Sequence, residues 1–278
     1  MSMISTGTLE VSGADLYYEV RGSGPILLIA QSGEGDARRS EDLVAHLERR
    51  FTVVTYDRRG LSRSVLRDSV GPASVATHAD DVFCLLSALT DEPVRMLGCS
   101  MGAAIGLHLA VRHPDRLHTL IAHEPVTPWL LAAADHADQL AELEHCQRVF
   151  AERGWQAALA PMVRTLGIDP RNQDREPGVT VPAIGPERAA NFEYFLEHDF
   201  TAIRADHLDV AQLRRSPVRI VPACGRTTPR QVFDYKAAQE LAALCGDPVV
   251  EFPGGHNGNL THPAAYAARV SEVLAAPE

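Results

Sequence analysis

The stretch Val94-Arg95-Met96-Leu97-Gly98-Cys99-Ser100-Met101-Gly102-Ala103-Ala104-Ile105-Gly106 reads as a short apolar strand that turns abruptly into a helix of small and apolar residues. A Gly-x-Ser-x-Gly pentad marks the turn, with Ser100 at its tip. So tight a turn brings neighbouring backbones close together. Side chains at Gly98 and Gly102 would collide there, and Ser100 is lifted towards solvent. The helix is expected to run from about Met101 to His113 and to stop at Pro114, which disfavours helical geometry in the residue before it.

Outward from this turn, strand and helix alternate. Residues 25–30 and 51–56 are continuously apolar or β-favouring, the pattern of strands covered on both faces, and helical spacing lies between them over 36–50. A second helix is expected over 74–89. Strands follow at 117–122, 218–223 and 249–252, with helices at 232–245 and 263–274. Two alternating segments, 8–11 and 14–20, read as an antiparallel hairpin at the start. The fold class is α/β: a mostly parallel, eight-stranded sheet with helices on both faces, whose site lies beyond the carboxyl ends of the strands.

One interruption breaks the alternation. Residues 125–213 show helical periodicity and no credible strand, so they read as a helical cap inserted into a core made of 1–124 and 214–278. Its helices are expected at 140–153, 155–166 and 187–203, with a Pro-, Gly- and charge-rich stretch over 167–186.

Composition excludes several classes of function. A formal charge of -10 argues against nucleic acid or anionic membrane as a partner, since both need a cationic face. No apolar run is long enough to span a bilayer and the N-terminus does not read as a signal peptide, so a cytoplasmic location is expected. Five cysteines (Cys84, Cys99, Cys146, Cys224, Cys245) are an odd number without paired metal-ligand spacing and read as reduced and structural.

A serine hydroxyl becomes a useful nucleophile only when a base takes its proton and an acceptor orients that base. Of the 12 histidines, His256 stands in the Gly- and Pro-rich loop after the last strand, better placed to reach Ser100 than His262 at the start of the final helix. His108, His113 and His118 read as helix-face or surface residues.

These features resemble the α/β-hydrolase superfamily over almost the whole chain. The carriers are the turn Gly98 to Gly102, the Tyr56-Asp57-Arg58-Arg59-Gly60-Leu61-Ser62-Arg63-Ser64 loop, Arg112-His113-Pro114-Asp115-Arg116-Leu117 and the late Gly255-His256. In most members the acid is an aspartate after the strand that is here 218–223, but this chain reads Cys224-Gly225-Arg226-Thr227-Thr228-Pro229. Glu124, in His123-Glu124-Pro125 at the end of the neighbouring strand, is the alternative. Gly-Cys-Ser, His-Glu-Pro and Thr-Pro together are similar to the zearalenone lactone hydrolases, in which this glutamate completes the triad. Asp234 and Glu251 are fallback acids.

The resemblance implies a capped serine hydrolase acting on a small hydrophobic ester or lactone, with no metal or organic cofactor. Ser100, His256 and Glu124 are the expected catalytic residues. The oxyanion donors are expected from Met101 and from Gly33 or Ser32, and Trp129, Tyr194 and Phe195 are expected to contact substrate. Carbon-carbon bond or thioester hydrolysis on the same triad, or a ligand-binding protein of the same fold, remain the alternatives. Oligomeric state is not legible.

Overall fold

The computed structural model describes residues 4–67, 73–169, 172–179 and 183–276. Its strands are β1 (Ser5–Val11), β2 (Ala14–Gly22), β3 (Ile26–Ala30), β4 (Thr52–Tyr56), β5 (Val65–Leu66), β6 (Val94–Cys99), β7 (Leu117–His123), β8 (Arg219–Gly225) and β9 (Val250–Phe252). They form one sheet in the order β1-β2-β4-β3-β6-β7-β8-β9, and the two-residue β5, which no sequence signal announced, pairs with β2. From β4 to β9 every neighbouring pair is parallel, while β1, β2 and β5 join antiparallel at one edge.

The chain steps from β3 to β4 on one side and later returns to place β6 on the other side of β3. At such a switch point the loops leaving two adjacent strands diverge to opposite faces and open a crevice at their carboxyl ends. Residues 31–36 and Ser100 occupy those two loops.

The helices are α1 (Glu41–Leu47), α2 (Val75–Leu89), α3 (Met101–Arg112), α4 (Ala133–Arg153), α5 (Trp155–Thr165), α6 (Pro186–Tyr194), α7 (Phe200–Ala205), α8 (Val210–Arg215), α9 (Phe233–Cys245), α10 (Gly258–Thr261) and α11 (Pro263–Ala275). Two buried apolar clusters follow from their placement. Leu43, Leu47, Tyr266 and Val270 of α1 and α11 pack on one face of the sheet. Val82, Ile105 and Leu241 of α2, α3 and α9 pack on the other, together with apolar residues of α4 to α8.

Two boundaries differ from the sequence pattern. α4 starts at Ala133 rather than 140, because its first turn carries alanines and Asp135, residues that helix propensity and the helix dipole favour but apolar periodicity does not reveal. The helix expected over 187–203 is divided by a π-helical turn, Phe195–Asp199, between α6 and α7. Within 167–186, residues 170, 171 and 180–182 lie outside the described residues, and the remainder contains no helix before α6 and no strand. Among the described residues no helix is long and apolar enough to cross a membrane.

The close approach inferred from the pentad is visible at Gly102, where a Cβ would sit 2.1 Å from the Ala30 carbonyl oxygen. Gly98 is equally constrained, since its Cβ would lie 2.6 Å from the Gly102 carbonyl oxygen. Gly102→Ala is expected to force α3 away from β3 and to cost about 1–3 kcal/mol or more of stability, read as a lower denaturant midpoint.

Candidate active site

Strand register assembles the site. Cys99 of β6 pairs with His123 of β7, so the next residues, Ser100 and Glu124, leave the sheet side by side. Both take left-handed backbone conformations, with φ of 53° and 46°, which non-glycine residues adopt at a cost. The surrounding ladder holds them there: Ser100 N–H donates to His123 O and Glu124 N–H to Ala223 O, each at 2.9 Å. Neither the second positive φ nor its alignment with the first had any sequence signal.

One register further, His123 pairs with Ala223 and Gly225 with Phe252, which brings the ends of β8 and β9 beside Glu124. The Glu124 carboxylate accepts the Gly225 N–H at 2.8 Å through Oε1 and meets His256 Nδ1 at 2.7 Å through Oε2. Glu124 is wholly buried, and Ser100 and His256 are 8% and 7% exposed. Burial by itself would raise the Glu124 pKa, but the hydrogen bond and charge of His256, with His123 and Thr228, bring it down to about 2. Burial would lower the His256 pKa, and the Glu124 partner instead raises it above the ordinary value.

Ser100 and His256 line one cavity of about 1020 Å³. The Ser100 hydroxyl makes no hydrogen bond among the described residues, an arrangement compatible with a pair that closes only around substrate. Chemically, an imidazole fixed at Nδ1 by a carboxylate presents Nε2 as a base, and it gains stability from that carboxylate when it becomes a cation.

Ser32 and Gly33 also line the cavity. The N–H groups of Ser32, Gly33 and Met101 find no backbone acceptor among the described residues. Met101 opens α3, so its free N–H and the helix dipole favour negative charge nearby. Arg58 separates the other two candidates: its guanidinium donates to Ser32 O at 2.6 Å and Gly33 O at 2.9 Å. Because a peptide is planar and trans, holding the Ser32 carbonyl turns the Gly33 N–H the opposite way.

Of the three aromatic residues expected at the substrate, Phe195 lines the cavity, and Trp129 and Tyr194 do not. Trp129 is drawn away by a hydrogen bond from its indole N–H to Asp206 at 2.8 Å. Tyr194 packs over Gly60 and against the His198 ring. Trp155 and Phe192, stacked with centroids 5.1 Å apart, take part in the cavity wall instead. His108 lies on α3 and is buried, with Nε2 2.9 Å from Asp206.

The fallback acids separate. Glu251 is exposed and paired with Arg230 at 3.1 Å. Asp234 lines the cavity, where burial pushes its carboxyl up to about 6, and it feels the charges of His256 and Glu124. Thr228, where the resemblance places the usual acid, is buried beside Glu124. Cys99 is buried with its thiol pushed up to about 12 by desolvation, as an inert core residue requires.

A family model described as the alpha/beta hydrolase fold matches residues 25–152. The chain is 36% identical to the uncharacterized hydrolase YraK of Bacillus subtilis (strain 168), over 98% of this chain and 96% of that protein. It belongs to the α/β-hydrolase family. This α/β hydrolase is also 31% identical to the zearalenone hydrolase of Bionectria ochroleuca, over 94% of each chain. Among solved structures, a hydrolase from Pseudomonas aeruginosa PA01 is 26% identical, covers 98% of both chains and superposes with a TM-score of 0.69.

Two histidines in this hydrolase should titrate on opposite sides of the ordinary value. His123, buried between Phe252 and Tyr266 without a partner for either ring nitrogen among the described residues, is pushed down to about 4 by desolvation. Imidazole resonances followed by NMR should show His123 neutral from pH 8 down to about 4, and His256 gaining its proton already above 6.5.

Proposed function

We propose that this hydrolase cleaves a carboxylic ester, a lactone or another hydrophobic ester, through an acyl-enzyme on Ser100. The observation that carries the reading is the buried hydrogen bond between His256 Nδ1 and Glu124, at the wall of the cavity that Ser100 also lines. In this reading Ser100 Oγ attacks the carbonyl carbon while His256 Nε2 takes its proton, and Glu124 stabilises the imidazolium. The carbonyl oxygen becomes an oxyanion held by the N–H groups of Met101 and Gly33, with Ser32 beside them. Collapse expels the alcohol, protonated by His256. Water activated by the same imidazole then releases the acid.

The apolar wall supports a hydrophobic acyl or alcohol part, with Phe195, Phe200, Leu143 and Val126 among its members. Residues 125–213 act in this reading as the cap over the core of 1–124 and 214–278. A nucleophile that is 8% exposed reacts only with molecules that enter the cavity, so the cap selects the substrate. The relationship to a protein named zearalenone hydrolase supports a lactone among the accepted esters.

Intact-mass spectrometry should find one fluorophosphonate adduct on the wild type and none on Ser100→Ala. Glu124→Gln should remain folded with a lowered melting temperature and lower kcat by roughly a thousandfold or more, because an amide cannot stabilise the imidazolium. Asp234→Asn should stay within about tenfold of wild type. A folded Glu124→Gln with near wild-type turnover would transfer the acid's role away from Glu124.

A further inference from the structure

Arg58 occupies the position after Asp57 in the loop that follows β4, and it is 1% exposed. Its guanidinium has three partners from two separate parts of the chain. Two are the Ser32 and Gly33 carbonyls already described, and the third is the Asp199 carboxylate. Asp199 is the last residue of the π-helical turn, and the first, Phe195, covers Gly33 so closely that a Cβ on that glycine would lie 2.5 Å from the ring. One helical turn from the segment between β7 and β8 thus grips residues 32–33 twice, by charge through Arg58 and by contact through Phe195.

Both ends of the grip are buried. Asp199 is 1% exposed, and His78 of α2 places Nε2 3.4 Å from its other oxygen. Burial would raise the Asp199 pKa, and the Arg58 charge overrides it, so the carboxylate remains ionised and the pair stays charged. A planar fork that takes two carbonyls and a carboxylate has no equivalent in lysine, which offers a point charge without the fixed geometry. Phe195 meanwhile lines the substrate cavity, so a bound molecule touches the same turn that holds the loop.

We infer that Arg58 and Asp199 are positioning residues for the oxyanion hole: they fix the Gly33 N–H in its donating direction and make that direction depend on the helical segment over the cavity. The inference rests on the acyl-enzyme reading above. It makes the donor a shared product of two separate stretches of chain, so a change at Asp199 acts on the transition state without touching substrate. Uniform binding of the ground state is left alone, and the loss is confined to the charge that develops on the carbonyl oxygen.

The test compares Arg58→Lys and Asp199→Asn with Arg59→Lys. The control breaks the fork of a second buried pair, Arg59 with Asp81, which lies in the same loop and does not touch residues 32–33. Each variant is measured for melting temperature, for kcat and KM on one ester, and for affinity towards a phenylboronic acid. The boronic acid bonds Ser100 Oγ to boron, passes the serine proton to His256, and leaves an anionic tetrahedral adduct.

Arg58→Lys and Asp199→Asn should lower kcat by roughly ten- to a hundredfold, with KM within about threefold and boronate affinity falling in step with kcat. Arg59→Lys should lose melting temperature while keeping kcat and boronate affinity within about twofold. Asp199→Glu, which retains the charge, should recover part of the loss in Asp199→Asn. If Arg58→Lys does not fold, the two Asp199 variants carry the comparison. Unchanged kcat and boronate affinity in folded Asp199→Asn, or an equal loss in Arg59→Lys, would overturn the inference while wild-type boronate binding leaves the serine reading standing. A wild type that neither binds the boronate nor gives a Ser100 adduct would overturn both.

Discussion

The site depends on one buried, charge-assisted hydrogen bond, His256 Nδ1 to Glu124 Oε2 at 2.7 Å. Removing one partner of such a pair leaves an uncompensated buried charge, a penalty of about 3–5 kcal/mol in comparable cases. The fold therefore supplies further donors: the Gly225 N–H takes the second carboxylate oxygen. The pair also ties three strands together, since its members follow β7 and β9 and its extra donor ends β8. Stability and chemistry then draw on the pair at different pH. Glu124, with its folded pKa below its usual 4.5, stabilises the fold above that value and loses this as pH falls towards about 2. His256, raised above 6.5, stabilises below that value and loses this as pH rises through its folded pKa. The window common to both runs from about 4.5 to 6.5, where a raised His256 is still protonated, so a neutral base becomes available only as the histidine's share of stability is given up.

The second constraint is the density of charge under the loop after β4. Asp57 accepts the Ala37 and Arg63 N–H groups and pairs with the Arg63 side chain at 2.7 Å, so three turns share one carboxylate. Arg59 pairs with Asp81 on α2, and Arg58 with Asp199. The three arginines of one short motif thus each face a different neighbour. Buried pairs of this kind add little net stability over an apolar core, but each permits only one arrangement of its partners. What Arg58 and Asp57 provide here is register: Arg58 holds the Ser32 and Gly33 carbonyls and Asp57 the Ala37 N–H, so the position of this loop is set by charge as well as by packing.

Much of this was legible in sequence wherever sterics or periodicity governed. The pentad around Ser100 encodes its turn because Gly98 and Gly102 are the residues that the approach of α3 to β3 permits. The two-sided burial of β3, β4 and β6 is written in their continuous apolar runs. What escaped was decided by partners distant in sequence. Trp129 reads as a substrate contact until Asp206, 77 residues away, takes its indole N–H. The π-helical turn has no local signature, because it reflects where Phe195 and Asp199 must reach rather than any propensity of residues 195–199. Asp234 sits in a helical pattern that does not reveal its exposure to the cavity.

Under the proposed reading, register also explains how the acid can stand after β7 instead of β8. His123 of β7 stands opposite Ala223 of β8, so Glu124 leaves the sheet beside Cys224 and Gly225, the last two residues of β8. A residue on β7 begins next to Ser100 and must reach across the end of β8 to find an imidazole suspended after β9. Glutamate has the extra methylene for that span, and the positive φ at Glu124 turns the chain so that the side chain can use it. Crossing over β8 then places the carboxylate against the Gly225 N–H and close to Thr228. A second carboxylate at 228 would have to share the His256 charge with the first, and one of the two would tend to stay protonated. A small neutral side chain at that position is the arrangement in which Glu124 can remain fully charged.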